Sequence, residues 1–288
     1  NAVTVTVTAT RGTVSVSANL ACGTSAVTSI IMTNTGITGL TVSPSSASYC
    51  SGNTTAQALV ASGGLYSTTG TPVASSGTIG GSTGNGNPLI TYWGAARTQV
   101  IYTASELTAA GLTAGSTISS LTLTATVAGN TRTAFNISYK YYSTSTTFTS
   151  TTFLTGLTSV YSAPLTTATG SKLFTFSSAT TAWNGTDNIV FEFCFSDNVV
   201  GSTAFTINAT AAVTNSVLQV HQDSTTAECT VTTGTYYTIR PYIVLGFNKQ
   251  APVTWSPTTG LYTDLAHTTA YTGTSLSTVY ALPSTTTT

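Results

Sequence analysis

Apolar and hydroxyl residues alternate one for one through much of this chain, and that alternation decides its secondary structure. Val3, Val5 and Val7 alternate with Thr4, Thr6 and Thr8. A period of two places one set on each face of a strand, and threonine, branched at Cβ, suits the pleated surface. Similar patterns return in 118–125, 135–140, 172–176 and 188–195. The 288 residues include 68 Thr and 35 Ser, against only seven Lys+Arg and seven Asp+Glu. Threonine hydroxyls therefore replace the charged outer face of an ordinary sheet. A hydrophobic content of 41%, with 9% aromatic residues, is enough for a real core and argues against disorder. The expected fold is all-β. The one helical candidate is 103–110, with Ser105 read as its cap and Gly111 as its stop.

Charge narrows the function. A formal net charge of zero, with 5% charged residues, leaves no basic field to hold phosphates, so nucleic acid is not an expected partner. No stretch reaches the roughly 18 apolar residues of a membrane helix, so no membrane insertion is expected. Four cysteines fall into two local pairs, Cys22 with Cys50 and Cys194 with Cys229. Neither pair has the spacing of a zinc site, and only His221 and His267 are available to assist. Two structural disulfides are expected, and no metal or cofactor. Each disulfide closes a loop of about 30 residues and contributes on the order of 3 kcal/mol. Disulfides imply an oxidising compartment, hence an exported, extracellular or cell-surface protein. The sequence opens on a strand-like run without a signal core, so an exported chain is numbered here after processing or from inside a longer polypeptide.

Three regions differ in composition. Residues 1–62 read as an N-terminal Ig-like β region that includes a candidate donor strand, 1–10. Residues 63–248 hold most of the aromatic residues and read as a central, jelly-roll-like β-sandwich. Residues 251–288 are too few to bury a core alone and read as an incomplete Ig-like module.

Catalytic chemistry finds little footing. No Gly-x-Ser-x-Gly elbow leads into a long helix. His221, in Val220-His221-Gln222-Asp223, reads as a structural histidine, and His267 as an exposed turn residue. Glu192 interrupts an aromatic strand, with Asp187 and Asp197 nearby in sequence, and two carboxylates across one cleft would suit glycoside hydrolysis. The competing reading turns Glu192 outward, or pairs it with an arginine such as Arg240, while Ile189, Phe191, Phe193 and Phe195 face inward. Calcium at Asp187 or Asp197 would lack any calcium-loop pattern. No residue is assigned as catalytic, and an enzyme is not expected. Trp93, Trp183 and Trp255, with Tyr92, Tyr141 and Tyr142, are either core anchors or a sugar-stacking platform.

The run Thr91-Tyr92-Trp93-Gly94-Ala95-Ala96-Arg97-Thr98-Gln99, the run from Tyr102 to Gly115, Trp183-Asn184-Gly185-Thr186-Asp187-Asn188 and Arg240-Pro241-Tyr242-Ile243 together resemble a β-sandwich module of secreted Bacteroidetes surface proteins. The tail from Thr254 to Asp264 resembles the Ig-like repeats of large gliding-motility-type adhesins, and 41–50 is similar more loosely. The resemblance implies export across the outer membrane and a place in long, repetitive surface structures. It carries over no catalytic residue. Asp223-Ser224-Thr225 matches the O-glycosylation sequon of the resembled group, making Ser224 a candidate modification site.

The expected function is a structural repeating subunit of an extracellular filament or adhesin. Its tail, with Trp255, Tyr271, Val279 and Tyr280, would accept the N-terminal strand of the next copy, with Ala2, Val3, Val5 and Val7, by strand complementation. Identical subunits joined head to tail are the expected partners, either as separate chains or as repeats of one polypeptide. The alternative is a carbohydrate-binding module of a secreted protein, with surface glycans as partners.

Overall fold

The structure, a computed structural model, describes residues 3–7, 13–20, 23–24, 28–31, 39–44, 55–82, 85–197, 200–223, 228–256 and 258–282. Cys22, Cys50, Ser224 and Ala2 lie outside the described residues. The first strands in chain order are β1 (Val3–Val7), β2 (Thr13–Leu20), β3 (Gly23–Thr24), β4 (Thr28–Ile31), β5 (Thr41–Ser43) and β6 (Gln57–Ser62). Next come β7 (Leu65–Gly70), β8 (Thr78–Ile79), β9 (Ala95–Tyr102), helix α1 (Ala104–Ala109), β10 (Thr117–Val127) and β11 (Arg132–Tyr142). They are followed by β12 (Thr158–Leu165), β13 (Gly170–Thr175), β14 (Asn188–Ser196), β15 (Thr206–Asn208), β16 (Val217–Gln222), β17 (Thr235–Tyr237) and β18 (Ile243–Gln250). The tail adds β19 (Trp255–Ser256), β20 (Leu261–Tyr262) and β21 (Thr278–Ala281). The protein is all-β and sandwich-like.

Two compact units share the chain. The larger is Thr68–Lys249; the smaller joins Asn1–Ser67 to Gln250–Thr288. In the larger unit one antiparallel sheet runs β7-β18-β10-β15-β8, with β13 on β10, and the other runs β12-β11-β14-β9-β16-β17. Alternation explains how they close. Along β14, Ile189, Phe191, Phe193 and Phe195 enter the main core, where they meet Leu121, Leu123 and Leu245 of the first sheet. Val190, on the opposite face of β14, joins a second cluster with Ile101, Phe148, Phe153 and Leu218. The second sheet is therefore buried on both faces, the outer one beneath the loop between β11 and β12.

The helix is capped two residues earlier than its sequence suggests. Thr103, not Ser105, is the N-cap, and it makes a capping box with Glu106. Its side chain accepts from Glu106 N, while Glu106 Oε2 accepts from Thr103 N. The chain then leaves the helix through Gly111 at φ 94°, a conformation open to glycine.

The smaller unit brings together two regions that read as separate in the sequence. β21 pairs with β6 from Thr278↔Val60 to Ala281↔Gln57, and β5 extends that sheet from the other side of β6. Trp255 and Ser256 pair with Ile30 and Ser29, so β19 borders a second sheet, β1-β2-β4-β19. Leu40, Val42 and Leu59 share one core with Trp255, Leu261, Tyr271 and Val279. The half-core of the tail is thus completed within the same chain, and β1, the expected donor strand, pairs with its own β2.

Candidate functional site

The densest polar group in the larger unit lies on the outer face of the second sheet. β9 and β14 are antiparallel with Gln99 opposite Glu192 and Arg97 opposite Cys194. Glu192 Oε2 accepts from Arg97 Nε at 2.8 Å, Arg97 Nη2 at 2.7 Å and Gln99 Nε2 at 2.7 Å. Arg97 Nη1 donates to the Val231 carbonyl at 2.6 Å, and its guanidinium lies 4.5 Å from the Phe153 ring centre. Gln99 donates from Nε2 to the Leu154 carbonyl and accepts at Oε1 from Leu154 N. Beside this group the Cys194–Cys229 disulfide is formed, with its Cα atoms 5.6 Å apart. The contacts to Phe153, Leu154 and Val231, with the disulfide, tie the covering segments 151–157 and 228–234 to the sheet, while those among Arg97, Gln99 and Glu192 stay within it. Glu192 does pair with an arginine, as one sequence reading allows, but the partner is Arg97, its neighbour across the ladder, rather than the Arg240 offered as an example.

The carboxylates proposed for glycoside chemistry do not meet. Asp187 precedes β14, Asp197 follows it and Glu192 sits midway. At about 3.3 Å per residue, Glu192 is roughly 17 Å from each, whereas catalytic pairs stand roughly 5–10 Å apart. Asp197 Oδ2 instead accepts from Thr133 N at 2.7 Å and Thr133 Oγ1 at 3.2 Å.

A second polar group joins helix α1 to the segment before β18. Arg240 forms a two-pronged ion pair with Glu106, at 2.9 and 2.7 Å, and donates to the Ile101 carbonyl. Burial favours the neutral form of Glu106, but hydrogen bonds from Arg240 and Thr103 outweigh it and hold its pKa below the ordinary value. Tyr102 lies beneath the Arg240 guanidinium and donates to the Pro241 carbonyl at 2.6 Å. Burial drives the Tyr102 pKa up, so its hydroxyl stays protonated. These contacts join the runs beginning at Tyr102 and Arg240, which lie far apart in sequence.

A third group involves Arg132, which is 1% exposed and donates to the carbonyls of Thr91 and Trp93. His221 packs at 5.0 Å against Trp93, and burial lowers its pKa. Asp223 accepts from Gly94 N at 2.8 Å. His267 is a half-buried turn residue at φ 47°, its ring 5.7 Å from Tyr262. Among the described residues no group of three His, Cys, Asp or Glu is placed to hold a metal ion.

The tryptophans do not make a platform. Trp183 and Trp255 are 2% and 1% exposed, and they belong to different units. Their indole N–H groups are spent on the Asp187 and Leu276 carbonyls. Trp93 is half-buried, with its N–H on the Ser82 carbonyl. Buried rings offer no face to a sugar. Arg97 and Gln99 fall in the 91–99 run that carries the resemblance but are given no role there, and Arg132 belongs to no quoted motif.

The chain matches no family model. It matches no curated protein. Among solved structures it is similar to the Clostridial cysteine protease Cwp84 after propeptide cleavage, at 9% identity and a TM-score of 0.37, over 64% of this chain and 40% of that one. The cysteine protease and lectin-like domains of Cwp84, a surface layer associated protein of Clostridium difficile, match at 7% identity and a TM-score of 0.33, over 55% and 33%. The chain spans less than half the length of each, and likeness this slight says nothing about activity.

Removing the disulfide by C194S/C229S is expected to lower the stability of the larger unit by about 3 kcal/mol. Urea unfolding of oxidised and variant protein checks this. The loss follows from freeing a 35-residue separation in the unfolded chain.

Proposed function

We propose that this chain is a structural subunit of an extracellular surface filament or adhesin, growing head to tail as the N-terminal strands of one copy complete the tail of another. The observation that carries this reading is the two-piece construction of the smaller unit. The β5–β6 region supplies Leu40, Val42 and Leu59 to the core around Trp255, Tyr271 and Val279, while β1–β4 meet the tail through the ladder between β4 and β19. Contacts of that kind are equally satisfied within one copy or between two, which is the physical basis of exchange between subunits. Among the described residues the β1–β4 group is paired to the tail only at Trp255↔Ile30 and Ser256↔Ser29. The donated element in this reading is β1–β4, bordering β19, rather than β1 alone.

A disulfide favours an oxidising compartment outside the cytosol. The likeness of several runs to Bacteroidetes surface modules points the same way. The carbohydrate-binding alternative loses its support with the burial of Trp183 and Trp255.

The register supplies the test. S29C and S256C variants, each carrying one new cysteine, are mixed under denaturing conditions and refolded together under mild oxidation. Exchange predicts covalent heterodimers at twice the 29.3 kDa chain mass on a non-reducing gel. It also predicts fibres of the unmodified chain in negative-stain microscopy. If the mixture yields no covalent dimer while S29C/S256C closes entirely within single chains, the unit is complete in one copy and this reading is wrong.

A further inference from the structure

The edges of the sheets are not alike. An edge strand presents unpaired backbone groups, and proteins blunt such edges with proline, inward charge, shortness or a covering element. β12 carries Pro164. β13 carries Lys172, whose Nζ lies 5.1 Å from the ring centre of the buried Phe205 and donates to the Thr166 carbonyl. β5 is three residues long and is followed by Pro44; β8, β19 and β20 have two residues each and β17 three. β7 ends at Gly70, so close under the Ala110 carbonyl that no side chain fits there.

Among the described residues β1 has none of these devices. It is five residues long, pairs with β2 without a bulge from Val3↔Ala18 to Val7↔Val14, and has no partner on its other side among the described residues. Residues 1–10 include no charged side chain. The strand Val-Thr-Val-Thr-Val is also a palindrome. Antiparallel pairing with itself, centred on Val5, sets Val3 opposite Val7, Thr4 opposite Thr6 and Val5 opposite Val5. Valine then meets valine and threonine meets threonine, both favourable cross-strand pairs. A slip of one residue sets valine against threonine throughout, and a slip of two restores like pairs only over a shorter ladder, so centring on Val5 gives the longest matched ladder.

We infer that two copies of this chain join edge to edge through β1, antiparallel about Val5, continuing the sheet β1-β2-β4-β19 from one copy into the other. The contact is isologous and closes on itself. It is independent of strand exchange, because β1 lies at the opposite edge of that sheet from β19. Where exchange builds filaments, this joint pairs them; where it does not, the joint makes a dimer.

The test uses the full chain, with native mass measured across a dilution series and fibre width read by negative-stain microscopy. The unmodified protein is expected at twice the 29.3 kDa chain mass, or as paired fibres. T4K/T6K sets lysines against lysines across the joint but, in its own chain, against Ser17 and Ser15. Its mass or fibre width is expected to halve, and T4E/T6E should do the same. An equal mixture of the two variants should regain the doubled mass or paired width. An unmodified protein that stays single at every concentration overturns the inference. So does a T4K/T6K variant that pairs as before, or a mixture that fails to recover. Single fibres would overturn this joint while leaving exchange intact, and a dimer without fibres would do the reverse.

Discussion

Arg97→Ala is expected to destabilise the larger unit by about 3–5 kcal/mol, the range for stripping one partner from a buried ion pair. The side chains of Arg97 and Glu192 are 9% and 13% exposed, so solvent replaces little of what is lost. Among the described residues the variant leaves Glu192 with Gln99 as its one side-chain donor and removes the donor to the Val231 carbonyl. It also uncovers the ring of Phe153. Arg97→Lys is expected to recover only part of the loss, because one ammonium cannot hold the fork made by Nε, Nη1 and Nη2. Removing both charges, as in R97M/E192L, should cost far less than R97A, since the main penalty is an orphaned buried carboxylate. Urea unfolding of the four proteins checks the order. Equal destabilisation by R97A and R97M/E192L would show that the pair contributes packing alone.

The second large effect belongs to the smaller unit. Trp255→Ala is expected to cost about 3–5 kcal/mol, the range for truncating a buried aromatic residue. Trp255 is central to its core, and its indole N–H donates to the Leu276 carbonyl. Its backbone N–H donates to the Tyr271 hydroxyl, which in turn donates to the Thr274 carbonyl at 2.6 Å. Because the larger unit has its own core, calorimetry should show one transition moved down in temperature and a second unchanged. Trp255→Phe keeps most of the packing and loses one hydrogen bond, so its cost should be about 1–2 kcal/mol. A single transition shifting as a whole in W255A would mean that the two units unfold together.

Legibility differed by the range of the interactions involved. The strands at 118–125, 135–140 and 188–195 were readable because a period of two is a property of adjacent residues. The inward set Ile189, Phe191, Phe193 and Phe195 followed from the same count, and all four are in the core. The Cys194–Cys229 pair was also readable, since two cysteines separated by 35 residues had few other choices. The helix was found, but its cap moved from Ser105 to Thr103, because both residues can cap and the position of Glu106 decides between them.

What sequence alone determined was which stretches become strands and which faces of them are apolar. What only the tertiary structure decided was which strands lie side by side. Arg97 was invisible as the partner of Glu192 because 95 residues separate them, and the β9–β14 register alone makes them neighbours. The tail found its other half more than 200 residues upstream, where β6 takes β21 and Leu59 meets Val279. Trp183 and Trp255 read as either core anchors or a sugar platform, and their burial makes them core. Local periodicity carries no address for a distant strand; that is set by which apolar faces, once formed, can close over one another and exclude water.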